Sequence, residues 1–290
     1  MADLYYNVAG HTFVLRSDGQ EDIDGALSQY NVFQTDNKAD VVFSLRLSSV
    51  PLATEGFAEE LRQDDEGQTI VAGRLPDGFS CFEFWLADRR SAVLVARSGY
   101  TQGEAYVESA FAFGVNNAIM VMYALATANK RTALFHSSVV SYRERGYMFL
   151  GVSGTGKSTH SRLWLRHIEG TELVNDDNPV VRILDNGEVR VYGSPWSGKT
   201  PCYRNISFPL GALVMLSQAP RNEMVRLKGV MAYAALLPSI SGKRWDKRLV
   251  EGLHETENLL AQLVPVWHLD CLPDRDAALL CCKYCTDGHD

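Results

Sequence analysis

The sequence predicts an α/β protein: a small β-rich region followed by an α/β region built on a phosphate-binding loop. Three observations carry that expectation. The first hundred residues are short runs of β-formers punctuated by Gly, Asp and Asn. After Gly103, helix-like and strand-like stretches alternate. Finally, "YMFLGVSGTGKSTHSRLW" sets glycines between an apolar run and a helical one. The boundary is placed near residue 105, giving regions 1–104 and 105–290.

In the first region, "YYNVAGHTFVLRS" and "ADVVFSLRLSSV" alternate in part, and "GQTIVAG", "SCFEFWLADR" and "SAVLVARSG" continue the pattern. They read as a small antiparallel sheet without a cluster of catalytic residue types. "GEAYVESAFAFGVNNAIMVMYALATANK" reads as helix, with a break near Gly114. "TALFHSSVVSY" and "YMFLGV" read as strands around the turn "RERG", and "STHSRLWLRHI" as helix. "TELVNDD" is a strand ending in acids. "PVVRILDNGEVRVYG" is a hairpin turning at Asn186-Gly187. "FPLGALVMLSQAP" and "VPVWHLDC" are further strands. "GVMAYAALLPSI", "ETENLLAQLV" and "DRDAALLCCKYC" are helices.

The chain has 290 residues, 46% of them hydrophobic and 22% charged, as a globular core requires. A net charge of -7 argues against nonspecific nucleic-acid binding. The longest apolar helical run, Phe111 to Ala128, is interrupted by Asn116 and Asn117. Its best part falls short of the roughly 20 residues a membrane span needs, so a buried helix is expected and no membrane partner. The opening "MADLYYNVAG" has acids where a secretory signal carries a basic head. A cytoplasmic protein with reduced thiols is the expectation.

Gly151, Gly156, Lys157 and Ser158 match the spacing G-x-x-x-x-G-K-[ST]. Glycines allow a tight turn around phosphate, and the helix start offers N–H groups to anions. Gly151, Ser153, Gly154, Thr155, Gly156, Lys157, Ser158 and Thr159 are therefore the candidate cradle for ATP or another nucleoside triphosphate. Lys157 can reach the β- and γ-phosphates and Ser158 can ligate Mg²⁺.

Asp176 and Asp177 close the next strand. Beside such a loop, one carboxylate can hold Mg²⁺ while the other takes a proton from an attacking hydroxyl. "NDDNP" is also good turn sequence. His136, fifteen residues before Gly151, can orient a carboxylate if its strand neighbours the loop strand. "YGSPWSGKTPCYRN" reads as loop, yet it carries Trp196, Lys199 and Arg204. Lys199 first, then Arg204, are candidates to neutralise a transferring phosphate. Lys243 and Arg244 of "SGKRWDKR" form either a flap over substrate or a solvated turn.

The order "FHSSVV", "GVSGTGKSTHS", "LVNDDN" resembles the HPr kinase/phosphorylase family, which shares its core with ATP-type phosphoenolpyruvate carboxykinases. The resemblance covers roughly residues 132–220. It implies a phosphate-loop core with a strongly curved mixed sheet, a cytoplasmic serine kinase and a homo-oligomer. It also matches Lys157 and Ser158 to the phosphate and metal positions and His136 to the family histidine. Asp176 becomes the implied base and Asp177 the implied Mg²⁺ ligand. Thr159 and His160 follow the loop where that family commonly has an acid, and "GSPWSGK" replaces its glycine-rich signature. The first hundred residues do not resemble its regulatory domain.

The expected activity is Mg²⁺-dependent transfer of a nucleotide γ-phosphate to a hydroxyl of a small protein, peptide or small molecule. One alternative is a non-enzymatic nucleotide-binding regulatory module. Another is carboxykinase-like chemistry, in which His268 or His160 would have to serve a transition metal. At the C-terminus, Cys271, Cys282, Cys285 and His289 suggest zinc by spacing, but the helix pattern suggests small apolar packing residues instead.

Overall fold

The computed structural model describes residues 2–17, 27–65, 67–198 and 200–286. The chain divides into two compact units, Met1–Thr127 and Ala128–Asp290. The division thus falls after the first long helix, whereas the sequence reading places it before.

The first unit holds strands β1 (Ala2–Val8), β2 (His11–Ser17), β3 (Val41–Leu47), β4 (Ala58–Asp65), β5 (Gln68–Arg74), β6 (Ser80–Leu86), β7 (Arg89–Ala96) and β8 (Gln102–Val107), then helix α1 (Phe111–Thr127). They form one sheet in the order β1-β2-β3-β8-β7-β6-β5-β4. The expected antiparallel sheet is mixed, because β3 lies parallel to both β2 and β8. "GEAYV", expected as helix, is strand β8.

Helix α1 runs through Gly114 without a break. A Cβ on Gly114 would lie 2.9 Å from the Ala92 Cβ, so glycine there lets the helix sit close on the sheet. The two asparagines that interrupt its apolar run both have partners. Tyr30 donates to Asn116 Oδ1 at 2.9 Å, and Asn117 Nδ2 donates to the Phe113 carbonyl at 2.9 Å. Phe13 and Phe43 stack at 4.9 Å in the core beneath, and the Tyr123 hydroxyl donates to the Val8 carbonyl at 3.0 Å. Edge strand β4 is exposed and charged, with Glu59, Glu60, Arg62 and Asp64, which discourages pairing with another chain. Among the described residues, no helix is long and apolar enough to cross a membrane.

The second unit contains β9 (Thr132–Leu134), β10 (Ser138–Tyr142), β11 (Arg145–Leu150), α2 (Lys157–His167), β12 (Glu172–Asn175), β13 (Val180–Ile183), β14 (Val189–Tyr192) and β15 (Ser207–Gln218). They are followed by β16 (Glu223–Leu227), α3 (Val230–Leu236), α4 (Val250–Leu263), β17 (Val266–Cys271) and α5 (Arg275–Thr286). The main path is β12-β10-β11-β15-β14-β13-β9, with β17 also on β15 and β16 on β17.

This corrects the expected HPr-kinase/carboxykinase-like core with a strongly curved sheet. The strands instead form an open mixed sheet, with β12 and β9 at its ends. The reason lies in β15. Its first residues, Ser207–Pro209, pair antiparallel with β14, and Leu213–Gln218 pair parallel with β17. Pro209 has no N–H to extend a ladder, so that edge changes partner beyond it. The opposite edge of β15 pairs parallel with β11. Tyr147, Phe149, Val214, Leu216 and Leu269 pack one face of this sheet against Trp164 of α2 and Cys281 and Cys285 of α5.

Candidate functional site

The glycine loop joins β11 to α2, where the sequence places it. Gly154 and Gly156 have φ of 79° and 106°, in the region that glycine adopts without strain. Gly156 is also the helix N-cap, and no side chain caps it. The first N–H groups of α2 therefore face the loop concavity without a capping side chain. Lys157 is buried, and its Nζ donates back to the carbonyls of Gly151 at 2.9 Å and Val152 at 3.3 Å. Thr155 Oγ1 donates to the Val152 carbonyl at 2.6 Å, and Gln218 Nε2 at the end of β15 donates to the Gly154 carbonyl at 3.2 Å. A cavity of about 450 Å³ lies between Gly151–Thr155 and Met215–Gln218.

The buried face of α2 follows its helical period: Lys157, His160, Ser161 and Trp164. His160 accepts from Trp164 Nε1 at 3.2 Å, and burial holds its pKa down to about 4. It is a neutral packing residue, turned into the core against Phe149.

The acids stand at the same sheet edge as the loop. Strand β10 is antiparallel to both β11 and β12, so its first residue, Ser138, lies opposite Phe149 near the end of β11. Ser138 Oγ donates to Asp176 Oδ1 at 2.7 Å. A hydroxyl has one proton, so the 2.5 Å contact between Ser138 and Ser161 has Ser161 as donor. Asp176 is thus tied to α2 at a residue one turn beyond Ser158, and it is 8% exposed. Asp177 is more open, and its Oδ1 lies 3.3 Å from His136 Nδ1. The chain matches no protein-family model, and no curated protein matches it.

Asn175, fully buried, organises the next loop. Its Nδ2 donates to Ser194 Oγ at 3.1 Å and to the Trp196 carbonyl at 3.2 Å, and its Oδ1 accepts from the Asp177 N–H at 3.0 Å. Ser194 Oγ donates to the Asn178 carbonyl at 2.6 Å, and Trp196 is buried. A Cβ on Gly198 would lie 3.3 Å from the Asp177 Cβ, so this loop passes directly over the acids. Lys199, the next residue, lies outside the described residues.

Arg204 is not brought to the acids. It donates to the Leu173 carbonyl at 2.7 Å and to Glu172 at 2.8 Å, at the opposite end of β12. The backbone of His136 is held by its own N–H donating to the Ser239 carbonyl at 2.7 Å. Arg244 is bound to the Leu237 carbonyl at 3.1 Å and to buried Glu257 at 2.6 Å, and Lys243 is buried. Lys243 and Asp246 anchor this turn in the interior, while Trp245, Lys247 and Arg248 remain exposed.

Sequence reasoning missed Ser138, Ser161 and Asn175. Ser161 carried a usable signal: it stands three residues after Ser158, on the neighbouring turn of the helix. The C-terminal thiols show a different environment. Cys281 and Cys285 are buried in the core, and burial pushes the Cys281 thiol well above its usual range. Among the described residues, no three His, Cys, Asp or Glu side chains converge to hold a metal by themselves. His289 lies outside the described residues.

Proposed function

We propose that the protein is a Mg²⁺-dependent phosphotransferase that moves the terminal phosphate of ATP, or another nucleoside triphosphate, to a hydroxyl. The observation that carries this reading is the tie between the glycine loop's helix and the acid pair, Ser161–Ser138–Asp176, at one edge of the sheet.

The residues fit the groups they would receive. The uncapped start of α2 and the loop backbone suit phosphate oxygens. Lys157 would exchange its carbonyl partners for phosphate oxygens. Ser158 and Asp176 supply hard oxygen donors, and Mg²⁺ commonly takes only one or two carboxylates beside phosphates. When bound, the metal would neutralise charge on the phosphate oxygens.

The two aspartates divide by environment, and the division reverses the one the family resemblance implies. Asp176 is buried and fixed by Ser138 on the helix side, so it suits the metal. Asp177 is more exposed and faces His136, so it suits proton transfer. Asp177 would take the proton of the acceptor hydroxyl as its oxygen bonds to the terminal phosphorus. The bond from that phosphorus to the bridging oxygen breaks, and the nucleoside diphosphate leaves. His136 would orient Asp177. The motif order also supports an HPr-kinase-like acceptor, a serine hydroxyl on a small protein or peptide. Such a reaction belongs in the cytoplasm, where ATP is supplied and where cysteines that form no disulfide are at home.

The test is calorimetric titration with MgATP of the wild type and Lys157→Ala, with thermal melts to confirm folding. Binding should weaken at least about tenfold in the variant, the scale of a charge-assisted hydrogen bond. Equal binding by both proteins would remove the loop as the nucleotide anchor. Tight, Lys157-dependent binding without transfer to any hydroxyl would favour a regulatory module instead.

A further inference from the structure

The proposed reaction leaves one part of this edge unused. Strand β11 has the acids on one side, through β10 and β12, and β15 and β17 on the other. The cavity lies on the second side, between the loop and Met215–Gln218. A nucleotide whose terminal phosphate reaches Asp177 must cross the loop, and the rest of it then extends toward β15 and β17.

Ser217 lines this cavity, and two polar side chains of β17, His268 and Asp270, stand next to it. In register, Met215 lies beside His268 and Ser217 beside Asp270, so Ser217, His268 and Asp270 share one face. Ser217 Oγ and His268 Nε2 are 2.8 Å apart, and His268 Nε2 lies 3.4 Å from Asp270 Oδ1. The opposite face, with Leu216 and Leu269, is core. His268 and Asp270 remain 37% and 45% exposed in their side chains. Beyond them, β16 puts Glu223 beside Asp270, with Arg221 on Glu223 at 2.7 Å. Arg221 offsets the charge of Glu223, which leaves Asp270 as the open carboxylate, and a carboxylate readily accepts hydrogen bonds from a ribose diol.

We infer that Asp270, positioned by His268 and Ser217, forms the ribose subsite of the nucleotide site. This rests on the proposed nucleotide-dependent reading. Its consequence is that the protein recognises a nucleoside triphosphate rather than any polyphosphate.

The experiment is titration of the full chain, in Mg²⁺, with ATP, 2′-deoxy-ATP and inorganic tripolyphosphate. Wild type, Lys157→Ala, Asp270→Asn and His268→Ala are compared. Wild type should bind ATP about fivefold or more above 2′-deoxy-ATP, the scale of one or two hydrogen bonds to a charged group. Asp270→Asn should bring the two together while leaving tripolyphosphate unchanged, and His268→Ala should move partway. If tripolyphosphate binds through Lys157 but neither variant alters the preference for ribose, or no preference exists, the subsite assignment is wrong. If nothing binds through Lys157, the nucleotide reading falls and takes this inference with it.

Discussion

The two units handle buried polar groups differently. In the first, they act one pair at a time: Ser91 donates to the Ser109 carbonyl at 2.6 Å, Ser80 meets the Tyr100 hydroxyl at 3.1 Å, and Tyr123 reaches the Val8 carbonyl. Among the described residues, each joins two elements without forming a network. In the second, Ser138, Ser161, Asn175 and Ser194 come from separate elements and hold Asp176 by its carboxylate and Asp177 by its backbone. Burying polar groups is costly unless each is satisfied. A network of that kind is gathered at one sheet edge, beside a loop with an uncapped helix start, and the proposed reaction is placed there. The aromatic core of the first unit stabilises it through the Phe13–Phe43 stack.

Substitutions should sharpen that contrast. The largest effect on stability belongs to the first unit. Phe43→Ala removes the ring stacked on Phe13 and should cost about 3–5 kcal/mol in urea unfolding. It should leave nucleotide affinity per folded molecule unchanged. A loss of affinity in the folded fraction would break the division of labour.

The next effect is a pH dependence of the second unit. His160 is held neutral with a pKa of about 4, against an ordinary value of 6.5. A depressed pKa means the unfolded chain binds the extra proton first. Its contribution is full above pH 6.5 and is lost as pH falls through 4, a total of about 3 kcal/mol. His160→Gln should remove that part of the acid slope while changing stability little between pH 7 and 8. An unchanged slope would contradict the buried neutral histidine.

Asn175→Ala should act more mildly on stability but in a telling place. Losing its hydrogen bonds to Ser194, Trp196 and Asp177 should cost about 2 kcal/mol and release the loop over the acids. Turnover should fall further than this stability loss explains, while MgATP affinity changes less than about threefold. Equal losses in binding and turnover would make Asn175 a purely structural residue.

Much of this site could be read from local patterns. The loop spacing, the strand before it, the helix after it and the acids closing β12 are all short-range features. What escaped depends on pairing between distant segments. Ser138 and Asp176 are neighbours only because β10 pairs with β12. Arg204 looked suited to a phosphate, yet its sequence position does not reveal that it returns to Glu172 rather than Asp177. "GEAYV" contains helix-compatible residues, but pairing with β3 and β7 decides it as a strand. The branch at β15 was hidden for the same reason. Pro209 marks where one ladder stops and cannot say which strand takes over.

The central claim is that the acid pair performs phosphoryl transfer, with Asp177 as the base. It is tested most directly by single-turnover transfer of labelled γ-phosphate to a serine-containing acceptor or to water. Wild type, Asp177→Asn and Asp176→Asn would be compared at several Mg²⁺ concentrations. Asp177→Asn should lower the rate by about 10²–10⁴-fold at every Mg²⁺ concentration, with MgATP binding retained. Asp176→Asn should raise the Mg²⁺ requirement. A rate that Asp177→Asn leaves within threefold of wild type, or restores with added Mg²⁺, would contradict the account.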